Sequence, residues 1–299
     1  MRFIHSFWFK PIIENPEKSW AGFSKPEYFW YCWALSLLTV RRHYQSAELY
    51  TDSHGMRFIQ KLRLPYDNIH VVFDSLEDLR PEFWAYPKLL VFSLQQQPFL
   101  HLDTDVFLWK PLPDRLFQCE VFGQNFELQP AQHQFYRSLL EELRKHMVYL
   151  PASYFEEEPG EREFAAINCG IVGGRAVELF QSYSKECMEI FLRPENQEGW
   201  DKIFRESNIP SGLFNAAIEQ WNLSLWGRDR HVEVLFSREQ VESNYFKGES
   251  LGYTHLLGVS KSEGSFCAQI EEQLFQLAPK TKARIDEFCA EERACGWKG

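Results

Sequence analysis

The stretch "FLHLDTDVFLWKPL", residues 99–112, sets two aspartates one residue apart between two apolar runs. Read as a strand ending near Asp103, it places residues i and i+2 on one side, so Asp103 and Asp105 are expected to project together while Leu102 and Thr104 face the other way. Two neighbouring carboxylates repel each other. A hard divalent cation such as Mn2+ or Mg2+ relieves that repulsion through the oxygen ligands it prefers. An isolated D-x-D also has a plainer use, because aspartates at strand ends cap turns through their own side chains. The surrounding chain has to decide between the two.

Working outward, strands are predicted at "RFIHSFWF" near the start, "AELYT" at 47–51, "NIHVVF" at 68–73 and "FLHLD", with helices over 26–44 and 81–96, the second interrupted or begun near Pro87. Later strands are predicted at "CEVFGQ" near 119, "AAINCGIVGG" near 165 and "HVEVLF" at 231, with helices at about 133–147, 175–193 and 213–224. Strands separated by helical segments of this length imply parallel crossovers, hence an α/β sheet flanked by helices whose ligands gather at the carboxyl ends of the strands. The acidic stretch "YFEEEPGERE" at 154–163 is the nearest thing to a break, and it is short. A single domain is therefore expected over 1–299.

Composition limits the partners. The 299 residues carry 32 Lys plus Arg against 42 Asp plus Glu, a formal charge of −10 with no basic stripe, which argues against nucleic acid. Seven dispersed cysteines (Cys32, Cys119, Cys169, Cys187, Cys267, Cys289, Cys295) form no C-x-x-C pair, so reduced thiols and a cytoplasmic location are expected. The N-terminus lacks a signal-peptide layout. The longest nearly apolar run, "YFWYCWALSLLTV" at 28–40, falls short of the roughly 20 residues of a membrane span and reads as a buried helix. Trp20, Trp30, Trp33 and Trp84 can stack on sugars, but in a chain with 10 Trp and 26 Phe they read first as core.

The stretch "LLVFSLQQQPFLHLDTDVFLWKPL" resembles, in order and spacing, the nucleotide-sugar segment of GT-A glycosyltransferases, especially the retaining glycogenin-like and D-x-D mannosyltransferase-like families. The resemblance extends to "NCGIVGG" at 168–174 and to "THLLGVSK" at 254–261, similar to the families' H-x-x-G-x-x-K segment. It implies a GT-A fold with a nucleotide-sugar half of about 1–125 and an acceptor half of about 126–299. It also implies transfer of a hexose from a UDP- or GDP-linked donor to a hydroxyl of a glycan, lipid-linked or protein acceptor, with retention. Lys88 takes the place of the basic residue these families carry on the helix before the D-x-D strand. By the same likeness Thr51 and Asp52, the "TD" ending the second strand, would lie near the nucleotide, and Glu219 with Gln220 in "FNAAIEQW" would lie near the acceptor.

His255 offers an imidazole nitrogen as a third metal ligand beside Asp103 and Asp105, or else is a satisfied core histidine. Gly258 lets backbone approach a phosphate, and Lys261 can neutralise charge growing on a leaving diphosphate. Ser262 and Glu263 stand where the families carry Pro-Trp, which loosens the assignment of Lys261. Asn168 can hydrogen-bond a sugar hydroxyl, although "NCGIVGG" is also what a tight strand-to-helix turn built on Gly173 and Gly174 looks like. Asp52 is as well suited to an N-cap, and Glu219 to a solvated helix face. The expected site therefore comprises Asp103, Asp105 and His255 on the metal, Lys88, Thr104, Thr51, Asp52, Gly258 and Lys261 on the nucleotide, and Glu219, Asn168 and Lys261 in catalysis. A nucleotidyltransferase would also pair aspartates with Mg2+, but it needs a Gly-rich basic loop near the first strand, which "IHSFWFKPIIENP" lacks. A non-catalytic carbohydrate- or nucleotide-binding protein of the same fold is the remaining alternative.

Overall fold

The computed structural model describes residues 1–14, 20–160, 164–237, 240 and 252–297; residues 161–163 of the acidic stretch lie outside them. In chain order the strands are β1 (Arg2–Phe7), β2 (Ala47–Thr51), β3 (Asn68–Val71), β4 (Phe99–Leu102), β5 (Val106–Leu108), β6 (Val121–Gly123), β7 (Ile171–Gly174), β8 (Val232–Val234) and β9 (Tyr253–His255). The helices are α1 (Lys10–Glu14), α2 (Pro26–His43), α3 (Ser53–Leu62), α4 (Tyr86–Leu94), α5 (Pro130–His146), α6 (Val177–Leu192), α7 (Gln197–Glu206), α8 (Leu213–Ala216), α9 (Asn222–Gly227), α10 (Gly264–Leu277) and α11 (Pro279–Cys295). The class is α/β, a mainly parallel sheet flanked by helices, as the alternation in the sequence predicts. By its contacts the chain divides into two compact units, neither of them one continuous stretch. The first holds Arg2–Leu79, Leu102–Leu112 and Asn244–Gly299; the second holds Arg80–His101 and Pro113–Ser243 together with Met1.

In the first unit β3, β2 and β1 run parallel in that order, with Phe3 opposite Ala47 and Glu48 opposite Asn68. Parallel neighbours need a crossover, and α2 and α3 supply it. Pro26 opens α2, Glu27 sits in its first turn, and Arg41, Arg42 and His43 close it, each on the side the helix dipole favours. Its middle is buried nearly all round. Trp30 and Trp33 are fully covered and stack on Phe9, with centroids 5.5 and 5.6 Å away. Trp20 is buried as well, so these three tryptophans are core and not sugar platforms; Trp84 is the exposed one, its Nε1 donating to the Gly212 carbonyl at 3.1 Å. No helix among the described residues is long and apolar enough to cross a membrane.

The second unit orders its strands β4, β7, β6, β8, with β6 antiparallel to β7 and parallel to β8. The glycines of "NCGIVGG" do not make the strand-to-helix turn that is one of the two readings of that stretch. Gly173 and Gly174 lie inside β7, where an added Cβ would come within 2.1 Å of the Phe99 carbonyl oxygen and of the Glu120 carbonyl oxygen, respectively. Only a residue without a side chain lets those backbones approach so closely. The helix expected at 81–96 starts at Tyr86, with Pro87 in its first turn where no hydrogen bond is lost. The helix expected at 213–224 is α8 and α9 joined through a π turn at Ala217–Trp221.

Candidate functional site

In the first unit the two aspartates are not on a strand. β4 stops at Leu102, and Asp103–Asp105 form a turn closed by the Val106 amide donating to the Asp103 carbonyl at 3.1 Å. A tight turn, and not the pleat of a strand, therefore brings the two carboxylates together. The chain then enters β5, which pairs antiparallel with β9 so that Val106 faces His255, and the Leu256 amide donates to the Asp105 carbonyl at 3.1 Å. That register delivers His255 across 150 residues of sequence. Ligand atoms of Asp103, Asp105 and His255 lie within 4.8 Å of one another. Such a span suits one cation held at about 2.0–2.6 Å from each ligand, and two carboxylates with an imidazole are donors that Mn2+ accepts.

Lys261 completes the cluster. After β9 a 3-10 turn, Gly258–Lys261, opens on Gly258 at φ +51° and turns the chain so that Lys261 Nζ reaches Asp105 Oδ2 at 2.5 Å; His255 Nε2 stands 3.5 Å from Asp105 Oδ1. Burial works against the Asp105 carboxylate, but the charges of Lys261 and His255 beside it hold its pKa below the usual carboxylate range. Burial likewise penalises the Lys261 ammonium, and Asp105 more than offsets it, so that pKa is raised. Cys32 on α2 donates its thiol toward the Thr104 carbonyl at 3.7 Å, and Cys267 on α10 donates to the Lys261 carbonyl at 3.3 Å, so both backbones of the cluster are tied to helices.

Thr51 and Asp52, also in this unit, spend their side chains on the protein. Thr51 Oγ1 donates to the Phe7 carbonyl at 2.8 Å. Asp52 is the N-cap of α3: one carboxylate oxygen accepts from the Gly55 amide and the other from the Phe9 amide, both at 2.7 Å. Burial raises its pKa against those hydrogen bonds.

The second unit gathers the other candidates. Lys88 on α4 is buried, its Nζ 2.8 Å from Glu219 Oε1 and donating to the Cys169 carbonyl at 2.8 Å. Glu219 is therefore no solvated helix residue. It belongs to the π turn, whose Glu219 carbonyl accepts from Tyr183 at 3.2 Å and whose Ile218 carbonyl accepts from the Cys187 thiol at 3.3 Å. A π turn inserts one extra residue into a helix and is frequent at functional sites. Asn168 accepts from the Gly170 amide at 3.0 Å and donates to Glu127 Oε1 at 2.8 Å, while Tyr136 donates to Gln220 Oε1 at 2.5 Å.

A family model described as a family of unknown function, DUF6734, matches residues 1–288. The chain belongs to DUF6734. No curated protein matches the sequence. Among solved structures, the apo form of mouse xyloside xylosyltransferase 1 resembles this DUF6734 chain with a TM-score of 0.40 and 12% identity, over 85% of this chain and 96% of that one.

Several contacts in the DUF6734 clusters carry no sequence signal. Cys32, Cys267 and Tyr183 look like ordinary helix residues, and Glu127 follows a short strand with nothing to mark it. One did leave a trace: "WAGF" at 20–23 holds Gly22 at φ +93° against the Lys261 stem, a conformation and a close approach that glycine permits.

Proposed function

We propose that this DUF6734 protein is a glycosyltransferase that uses Mn2+ or Mg2+ to move a hexose from a UDP- or GDP-linked donor to an acceptor hydroxyl, with retention. The observation that carries the reading is the convergence of Asp103, Asp105 and His255 from two distant segments onto one point, with a lysine on the same carboxylate. When bound there, the cation would act as a Lewis acid on the donor's diphosphate. Lys261 would add a fixed positive charge for the departing nucleoside diphosphate, with Gly258 leaving its backbone open to phosphate. Thr104 lies between the two ligands and is read as a nucleotide contact; Thr51 and Asp52 are read as shaping the end of β2 near the nucleotide. Glu219 would orient the acceptor hydroxyl or support positive charge developing on the donor sugar, with Lys88 fixing its carboxylate and Asn168 hydrogen-bonding a sugar hydroxyl. The acceptor can be a glycan, a lipid-linked sugar or a protein, and a cytoplasmic location belongs to this reading.

Titration of UDP and GDP in Mn2+ or EDTA tests it. Asp103→Ala, Asp105→Ala and His255→Ala should each abolish or strongly weaken the Mn2+-dependent part of nucleotide affinity and leave binding in EDTA unchanged. Unchanged affinity in Mn2+ would refute the metal assignment. Slow hydrolysis of a UDP- or GDP-sugar, followed as released nucleotide, then separates an enzyme from a binding protein that has lost turnover.

A further inference from the structure

Lys261 pairs with Asp105 at 2.5 Å, and its surroundings hold it there. Its side chain is 19% exposed and that of Asp105 10%. The Gly22 turn lies against its stem: a Cβ on Gly22 would sit 3.2 Å from Lys261 Cδ, and Gly22 already has a backbone conformation that other residues adopt poorly. The Phe23 ring lies 5.8 Å from the ammonium, and Cys267 pins the Lys261 carbonyl. A wedge, a ring and a thiol thus direct one ammonium at one carboxylate oxygen, Asp105 Oδ2.

We infer that Lys261 is a built-in competitor of the divalent cation, which makes cation and nucleotide bind together and not singly. This rests on the metal reading of Asp103, Asp105 and His255. A cation entering the triad has to share Asp105 with an ammonium 2.5 Å from it, so like charges meet in a poorly solvated place and the cation alone binds weakly. A diphosphate brings negative charge that gives Lys261 a second partner, and the conflict is removed. By linkage, whatever the nucleotide does for cation affinity the cation does for nucleotide affinity. The consequence is a donor site that stays largely unloaded until cation and donor arrive together, with a lysine that then already faces the diphosphate.

The test uses Mn2+ alone, read by the electron paramagnetic resonance signal of free Mn2+ and by calorimetry, then Mn2+ with UDP or GDP. Lys261→Met should bind Mn2+ alone at least tenfold more tightly than the wild type, and the enhancement of Mn2+ affinity by nucleotide should shrink correspondingly. Lys261→Gln, which keeps a hydrogen-bond donor for Asp105, serves if the Met variant does not fold. In the wild type, Mn2+ without nucleotide should raise the acylation of Lys261 by an amine-reactive reagent, scored by peptide mass spectrometry against the other lysines. Wild-type Mn2+ binding that is no weaker than that of the Lys261 variants, or Lys261 acylation that Mn2+ leaves unchanged, overturns the inference while leaving the metal reading intact. Absence of Mn2+ binding in every protein, with or without nucleotide, overturns both.

Discussion

Lys88 and Glu219 illustrate at the scale of single residues how burial changes the meaning of a charge. Their side chains are 8% and 2% exposed and 2.8 Å apart. Neither can be neutralised without leaving the other in a poorly solvated place, a change that typically costs about 3–5 kcal/mol for a buried pair. Glu219→Gln and Lys88→Met should therefore each lower the unfolding free energy by about 3 kcal/mol, and the double variant by clearly less than the sum, as measured by urea unfolding in a double-mutant cycle. Strict additivity would mean the two charges are not coupled. Within the proposed reaction, Glu219→Gln should also slow transfer or donor hydrolysis by about 10- to 1000-fold while donor affinity changes little. Equal loss of affinity and rate would move Glu219 from the reacting centre to donor binding.

Elements do two jobs here that their residue types only partly announce. The β5–β9 ribbon is three residues a side, yet its register alone brings His255 beside Asp105. The π turn between α8 and α9 carries Glu219, with Tyr183 and Cys187 of α6 satisfying two of its carbonyls. β7 depends on its glycines in another way. A methyl group at Gly173 would meet the Phe99 carbonyl oxygen at 2.1 Å and the Leu100 Cα at 2.9 Å, both backbone atoms that no rotamer change can move. Overpacking of this kind costs typically 1–3 kcal/mol and more where the backbone itself is displaced. Gly173→Ala should thus lower the unfolding free energy by about 3 kcal/mol or prevent folding altogether. Chemical denaturation within 0.5 kcal/mol of wild type would show that β4 and β7 can separate without penalty.

For the molecule as a whole, acid stability is set in part by His5. It is buried on β1 with Nδ1 2.6 Å from the Tyr66 hydroxyl, and burial lowers its pKa from 6.5 to about 3 although the Asp105 charge pulls the other way. Between pH 6.5 and about 3 the unfolded chain holds a proton on this residue that the folded chain does not. Stability is therefore fully present above the upper limit and falls as pH drops through the window, by at most about 1.4 kcal/mol per pH unit from this group. Urea unfolding of the wild type and of His5→Asn between pH 7.5 and 4.5 measures the difference, and the variant should show the flatter dependence. Parallel curves would mean that His5 takes up its proton in the folded state.

The alternation of strands and helices was legible in the chain because hydrophobic period and strand length are local properties, and so were α2, β1 to β4 and the residue types gathered at Asp103, Asp105 and His255. "LDTD" identified the two carboxylates, and "THLLGVSK" pointed to His255 and Lys261, since a short motif carries residue identity and spacing. Beyond the capping residue Asp52 and the turn that aspartates at a strand end allow, helix α3, the β5–β9 ribbon, α7 and the two C-terminal helices α10 and α11 were not legible in the chain. Three-residue strands have too few positions to display a period, and a pairing across 150 residues is decided by which backbones can meet. The partners of a charge belong to the tertiary structure for the same reason. That Lys261 faces Asp105 and that Lys88 faces Glu219 follow from where the backbone places each group in three dimensions, and burial then determines the energy of each contact.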